Sequence, residues 1–343
     1  MKIPNTMKAA CVHKQGDSRI VVEDVPTPEP GPGQILIRVD SAGVNFSDVK
    51  RRRGDAYPFE TRFPFTPGGE VAGTVVAHGS GVENPPIGSE VFALSGADGT
   101  GGYAQFTLSY ASTAVPKPNG MSFELASVLV VAGSTAKLLL SKTAKLAPGE
   151  SVLIPAATGG VGSFLVQLAR RMDAGRILAA VGDTAKRARA LELGAHEVVD
   201  YSSPEWPERV RELTDDKGVD VALEASGGPC VEQTLRCLAP FGRLVVFGAA
   251  SGKTATLSLA AIEHLLYAPV PNQSIVGFNV GGWFMERPQQ AGAALGELIE
   301  DIMAERIRAP AIRSLTLAQA QEAHELLESR SSSGKLVIKP WLE

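Results

Sequence analysis

The residues Ser151-Val152-Leu153-Ile154-Pro155-Ala156-Ala157-Thr158-Gly159-Gly160-Val161-Gly162, then Phe164-Leu165-Val166-Gln167-Leu168-Ala169-Arg170, read as strand, glycine turn and helix in one uninterrupted unit. Such a unit is a dinucleotide cradle. Gly159 lets backbone N–H groups approach a pyrophosphate, Gly162 lets the helix pack closely on the strand, and the helix N-terminus adds partial positive charge. Thr158, Gly160 and Val161 complete the turn. Ala157 stands where the strict G-x-G-x-x-G string has its first glycine, so the motif is carried by its surroundings. Strands at 177–181, 198–199, 219–223 and 243–248 alternate with helices at 136–140, 186–193 and 231–238. This alternation implies right-handed crossovers and a doubly wound parallel sheet, an α/β fold of Rossmann type.

A chain of 343 residues, 44% of them hydrophobic, buries enough core for two domains. Residues 1–123 carry Gly and Pro breaks between short alternating runs, such as Ile35-Leu36-Ile37-Arg38-Val39 and Val71-Ala72-Gly73-Thr74-Val75-Val76, and predict a β-rich domain. Residues 124–282 form the dinucleotide-binding domain. Residues 283–343, with helices near 290–307 and 317–329 and a last strand at 335–338, are expected to return to the first domain.

The net charge of −4 offers nothing to nucleic acid. The exception, Lys50-Arg51-Arg52-Arg53, reads as a solvated surface turn. Cys11, Cys230 and Cys237 are too few and too scattered for a disulfide framework or a Cys₄ zinc site, and read as small buried hydrophobes. The histidines at 13, 78, 196, 264 and 324 stand singly, without ligand spacing. No basic start leads into an apolar h-region and no 18-residue uncharged apolar run occurs, so no membrane partner and a cytoplasmic location are expected.

Several spaced motifs occur in order: Gly43-Val44-Asn45-Phe46-Ser47-Asp48, Pro67-Gly68-Gly69-Glu70-Val71-Ala72-Gly73, Gly102-Tyr103-Ala104-Gln105, the cradle, and Ser333-Gly334-Lys335-Leu336-Val337. On these the chain resembles the medium-chain dehydrogenase/reductase superfamily, and within it the zinc-independent NADPH:quinone oxidoreductase (ζ-crystallin-like) branch, from Met7 onward. Met1 to Thr6 read as a short extension or as the product of an upstream start. The resemblance implies a GroES-like catalytic domain beside the Rossmann domain, and a homodimer built by extending the nucleotide-domain sheets. Zinc alcohol dehydrogenases of the same superfamily carry a cysteine ligand where this chain has Asn45 and the histidine of Gly-His-Glu where it has Gly69; neither residue ligates zinc. The interval from Val91 to Tyr103 is too short, and has no cysteine, for their structural zinc lobe. A metal-free site follows.

NAD-binding versions of the fold end their second strand with an acid about 20 residues past the turn. Here that strand ends Val181-Gly182, with Asp183 next and Lys186, Arg187 and Arg189 beyond. A carboxylate repels a 2′-phosphate and a lysine binds it. The resemblance implies a glycine at the strand end, a lysine soon after and a tyrosine after the next strand in NADPH users, and Gly182, Lys186 and Tyr201 match, so NADPH is favoured over NADH. The resemblance further assigns cofactor contacts to Thr135, to Phe247, Gly248 and Ala249 at the fifth strand's end, and to Phe278, with Lys335 over the phosphates. Core packing is the competing role for the aromatic ones.

Hydride transfer to a quinone or α,β-unsaturated carbonyl leaves negative charge on oxygen, and without a metal hydrogen-bond donors must hold it. The candidates are Asn45, Tyr57 and Lys50, the last standing where many relatives have a second tyrosine; it suits an anionic or strongly polar acceptor, or else lies in solvent with Arg51 to Arg53. The glycine-rich stretch 95–102 is mobile by composition and is expected to gate the site, or simply to connect. The leading expectation is an enzyme that reduces a small-molecule quinone or enone with NADPH. A metal-free alcohol or carbonyl oxidoreductase and an NADPH-binding structural protein with little turnover are the alternatives.

Overall fold

The computed structural model describes residues 2–16 and 19–343, so Met1, the first residue of the expected extension, lies outside the described residues. Two units emerge: one runs to Ala132 and resumes at Ala311, the other is Gly133–Pro310. The first unit is therefore discontinuous, but the divisions fall nine and twenty-eight residues beyond the expected 123/124 and 282/283. The later one moved because the helix expected near 290–307 buries Ala291 and Ala294 against Leu138, among Phe278, Val280, Trp283 and Phe284, all in the second unit.

In the first unit β1 (Thr6–Cys11) and β2 (Val21–Pro26) pair antiparallel. A seven-stranded sheet holds β3 (Gln34–Gly43), β4 (Glu70–His78), β5 (Glu90–Leu94), β6 (Phe106–Tyr110) and β7 (Val115–Pro116) with two strands from the end of the chain, β14 (Ile312–Thr316) and β15 (Lys335–Lys339). Its order is β14-β15-β3-β4-β5-β7, with β6 also on β3. Ile35, Ile37, Val39, Val71, Val75, Val91, Leu336 and Ile338 meet in one core. Helix α1 (Phe46–Arg53) follows β3 after two residues, α2 (Phe123–Ala126) comes late in the first stretch, and α11 (Ala320–Glu328) lies in the returning one. Strand β15 runs antiparallel to β3 with Val337 opposite Gly43, and that register carried two residues further sets Lys335 opposite Asn45.

The second unit opens with α3 (Ser134–Leu138) and then alternates β8 (Ser151–Ile154), α4 (Gly160–Arg171), β9 (Arg176–Val181), α5 (Arg187–Glu192), β10 (Glu197–Asp200), α6 (Trp206–Leu213), β11 (Val219–Glu224), α7 (Cys230–Leu235), β12 (Leu238–Val246), α8 (Leu259–Tyr267) and β13 (Ser274–Gly277). Two further helices, α9 (Val280–Glu286) and α10 (Pro288–Met303), close it. The sheet order is β10-β9-β8-β11-β12-β13, all pairs parallel. Chain order reverses direction between β8 and β11, so the turn after β8 sits at the topological switch point, where such sheets bind ligands.

Candidate functional site

The cradle closes by a route other than the expected glycine. Ala156 takes the left-handed conformation (φ 46°), the Gly159 N–H bonds to its carbonyl at 2.8 Å, and Ala157 is fully buried. Gly159 caps α4 without a side chain and the first turn carries no acid, so the N–H groups and the positive dipole end of α4 are not opposed by a carboxylate of the helix's own first turn. At the end of β9, a Cβ on Gly182 would lie 2.9–3.0 Å from the Tyr201 ring and hydroxyl, so only glycine admits that ring. The Asp183 carboxylate accepts the Ala185 N–H at 2.8 Å and caps a short 3₁₀ turn, Thr184–Lys186. Lys186 is half-buried; burial lowers its pKa while Asp183 pulls it back up.

Thr135 is buried in α3, between two π-helical turns, Leu129–Gly133 and Leu139–Thr143. Phe247 donates its N–H to the Glu224 carbonyl, and a Cβ on Gly248 would meet the Ala225 oxygen at 2.6 Å, so the segments after β11 and β12 run in close contact up to Ala249. Beneath them lies a group that sequence reasoning missed. Glu224, 2% exposed, receives the Ser226 and Gly227 N–H groups at 2.6 and 2.9 Å, and burial still raises its pKa. Phe278 is half-buried after β13, where it packs with the α10 cluster.

In the first unit the polar groups converge where β3 ends and α1 begins. Asn45 is the N-cap of α1, and its N–H donates to Asp48 Oδ2 at 2.8 Å, the backbone half of a capping box. Its side chain faces elsewhere: Nδ2 donates to Glu70 Oε1 at 2.9 Å and Oδ1 accepts from Lys335 Nζ at 2.7 Å. Lys335 Nζ also donates to Glu70 Oε1 at 3.1 Å and to the Val44 carbonyl at 2.9 Å, while Glu70 Oε2 takes the Val131 N–H at 2.8 Å. This corrects the expectation that Lys335 covers phosphates. The three N–H groups of its ammonium are committed inside the first unit, and the residue is 4% exposed. Gly43 makes the arrangement possible, since a Cβ there would sit 2.6 Å from Glu70 Oε1.

Asp48 is buried and also accepts the Gly68 N–H at 3.1 Å and the Tyr103 hydroxyl at 3.2 Å. Burial pushes its carboxyl up to about 6, against those hydrogen bonds and the charge of Lys335. The spacing Asn45-x-x-Asp48 was the available signal for it, and Gly68-Gly69-Glu70 the signal for Glu70.

The basic run is not a solvated turn. Arg51 is 2% exposed: Nε donates to Thr61 Oγ1 at 3.0 Å, Nη2 to Asp98 Oδ2 at 2.9 Å, and Nη1 to the Asp98 carbonyl at 2.8 Å. Arg52 donates to His324 Nδ1 at 3.2 Å and pairs with Glu328 at 2.6 Å, and Arg53 pairs with Asp55 at 2.5 Å. Lys50 alone fits the solvent alternative in part: it is half-buried, with no side-chain hydrogen bond or ion pair among the described residues. Tyr57 is half-buried with the Arg51 guanidinium 5.0 Å from its ring. Burial lifts its phenol pKa and Asp48 adds to the rise, while Arg51 and a Ser47 hydrogen bond oppose it.

The stretch 95–102 is hydrogen-bonded to its surroundings at both ends and at its tip. Gly96 N–H bonds to the Leu108 carbonyl at 2.7 Å, Gly101 N–H to the Thr66 carbonyl at 2.8 Å, and Ser95 Oγ to the Gly68 carbonyl, with Arg51 holding the tip at Asp98.

Comparison with known proteins agrees with this architecture. An alcohol dehydrogenase GroES-like domain matches residues 31–119 and a zinc-binding dehydrogenase domain matches 160–296. A quinone oxidoreductase of Pseudomonas aeruginosa is 33% identical over 95% of this chain and 97% of its own length. A 2-haloacrylate reductase of a Burkholderia species is 30% identical over 97% and 98%. Among solved structures, Escherichia coli quinone oxidoreductase complexed with NADPH superposes with a TM-score of 0.86 at 30% identity, covering 98% of this chain and 99% of that one.

Proposed function

The chain belongs to the medium-chain dehydrogenase/reductase superfamily, in its quinone oxidoreductase branch, and we propose that it is an NADPH-dependent enzyme reducing quinones and α,β-unsaturated carbonyl compounds. When bound, NADPH supplies a hydride from its nicotinamide ring. The residues for holding it are Thr158, Gly159, Gly160, Val161 and Gly162 at the pyrophosphate, and Gly182, Lys186 and Tyr201 at the 2′-phosphate. Thr135, Phe247, Gly248, Ala249 and Phe278 are assigned to the nicotinamide side. One observation carries the choice of the phosphorylated cofactor: Asp183 turns its carboxylate onto the Ala185 N–H, where it caps the Thr184–Lys186 turn, and Lys186 follows at the end of that turn.

Asn45 donates an N–H to the oxygen that gains charge on the acceptor, with Tyr57 and Lys50 as the other donors of that site. Lys50, with no side-chain hydrogen bond or ion pair among the described residues, suits an acceptor bearing a carboxylate, as a 2-haloacrylate does. The reading is metal-free. Gly69 offers no side chain and the Asn45 amide oxygen already accepts from Lys335 Nζ at 2.7 Å, so neither position presents a metal ligand.

A homodimer belongs to the same reading. Strand β13 is the last of its sheet with Ile275 38% exposed, and α8 exposes Leu259, Leu266 and Tyr267. Ile275→Lys is expected to convert a dimer to monomer in light scattering; a monomeric parent, or a variant that stays dimeric, discards this assembly. Cys11, Cys230 and Cys237, none of them in a disulfide, suit a reducing cytoplasm. Among the described residues no helix is long and apolar enough to cross a membrane.

Initial rates with 1,4-benzoquinone, 2-chloroacrylate and a simple aldehyde, each with NADPH and with NADH, test the whole reading. Quinone or enone turnover with NADPH is expected. Preferential aldehyde reduction would make it a carbonyl oxidoreductase, and NADPH binding without oxidation by any acceptor a binding protein. Lys186→Ala should raise the KM for NADPH about tenfold, the worth of one charge-assisted hydrogen bond, and leave NADH nearly unchanged. An equal effect on both removes the 2′-phosphate assignment.

A further inference from the structure

Asn45 Oδ1, Lys335 Nζ, Glu70 Oε1 and Asn45 Nδ2 close a ring of hydrogen bonds with edges of 2.7, 3.1 and 2.9 Å, in which Asn45, Lys335 and Glu70 are all at least nine-tenths buried. Each end of the amide meets its complement: the oxygen faces an ammonium, the nitrogen a carboxylate. Turning the amide over would set Nδ2 against Nζ, donor to donor, and Oδ1 against Oε1, acceptor to acceptor, among groups buried from solvent. One of the two Nδ2 hydrogens is committed to Glu70, so the direction of the other is fixed by the ring.

We propose that Lys335 and Glu70 are positioning residues for the reduction, holding the Asn45 amide so that its second N–H is aimed where the acceptor oxygen gains charge. The ammonium on Oδ1 also polarises the amide and strengthens that donor. The inference rests on the role assigned to Asn45 above, and it gives the Gly68-Gly69-Glu70 and Gly334-Lys335 motifs a shared task although they lie at opposite ends of the chain. It also separates Lys335 from cofactor binding.

The test is a double-mutant cycle on the whole protein, with NADPH and 1,4-benzoquinone, reading kcat, acceptor KM, NADPH Kd by fluorescence, and melting temperature. Asn45→Ala is expected to lower kcat about a hundredfold, as loss of an oxyanion donor does. Lys335→Met should lower kcat about tenfold or more with NADPH Kd unchanged, and cost nothing further when Asn45 is already Ala. If Lys335→Met does not fold, Glu70→Gln carries the cycle: its amide oxygen still accepts from Asn45 and Lys335 while its nitrogen faces the Val131 N–H, so a partial loss is expected, again absent on the Asn45→Ala background. Losses that simply add, or a weakened NADPH Kd with kcat intact, overturn the positioning role. Asn45→Ala slow with Lys335→Met at parental kcat overturns it alone, whereas Asn45→Ala at parental kcat removes the role of Asn45 and the positioning with it.

Discussion

A Cβ on Gly162 would lie 2.2 Å from the Ala156 carbonyl oxygen and 2.8 Å from the Ala157 Cα, both backbone atoms that have nowhere to retreat. Gly162→Ala must therefore push the first turn of α4 away from the end of β8. The expected result is a loss of about 1–3 kcal/mol in stability, typical of overpacking, with NADPH affinity at least about tenfold weaker in a fluorescence titration. Unchanged binding would detach Gly162 from the cradle. This residue was legible from sequence because its neighbours in space are its neighbours in the chain. Lys335 was not: the atoms that hold it belong to Val44, Asn45 and Glu70, reached only through the pairing of β15 with β3. Glu224 escaped for a different reason, since one glutamate at a strand end has no spacing pattern to mark it.

Helix α1 ends in four basic residues, and what they do is decided by the elements around them. Arg51 reaches past the helix to the tip of 95–102 and Arg52 to α11, so the run ties the helix down instead of solvating it. Composition carried no trace of this, because glycines and an aspartate make the same sequence pattern in a loose loop and in a pinned one. Arg51→Met should release the tip. It leaves Asp98, whose carboxyl lies below its usual range with help from Arg51, without its cation, and the two Arg-bonded carbonyls without a donor. The expected cost is roughly 2–3 kcal/mol, less than for a fully buried pair because Asp98 is 39% exposed. Limited proteolysis should then cut within 95–102 in the variant while leaving the parent intact. Equal resistance would show that the backbone bonds of Gly96 and Gly101 suffice.

At the scale of the whole chain, the alternation of strands and helices from β8 to β13 was legible, and so was the return of the last strand. The division of residues 283–310 was not, because an amphipathic helix announces that it packs but not on what. Stability as a function of pH is also a property of the whole, and two buried groups push it in opposite directions. His324 is fully buried, its Nδ1 accepting from Arg52 Nε, its ring edge-on to Tyr103, and burial with the Arg52 charge lowers its pKa to about 3. Below the ordinary His value of 6.5 the unfolded chain takes a proton that the folded chain refuses, so this contribution is complete above 6.5 and drains away toward 3. Asp48 works the other way: its folded pKa of about 6 exceeds the ordinary 3.8, so its contribution is complete below 3.8 and is lost as pH rises through 6. A variant that silences one group exposes the other. His324→Asn keeps an acceptor for Arg52 and never titrates, so between pH 6.5 and 4.5 the parent should lose stability relative to it, by up to ~1.4 kcal/mol per pH unit. Thermal unfolding of both proteins across that window gives the difference directly, and parallel curves would mean that His324 is protonated inside the fold.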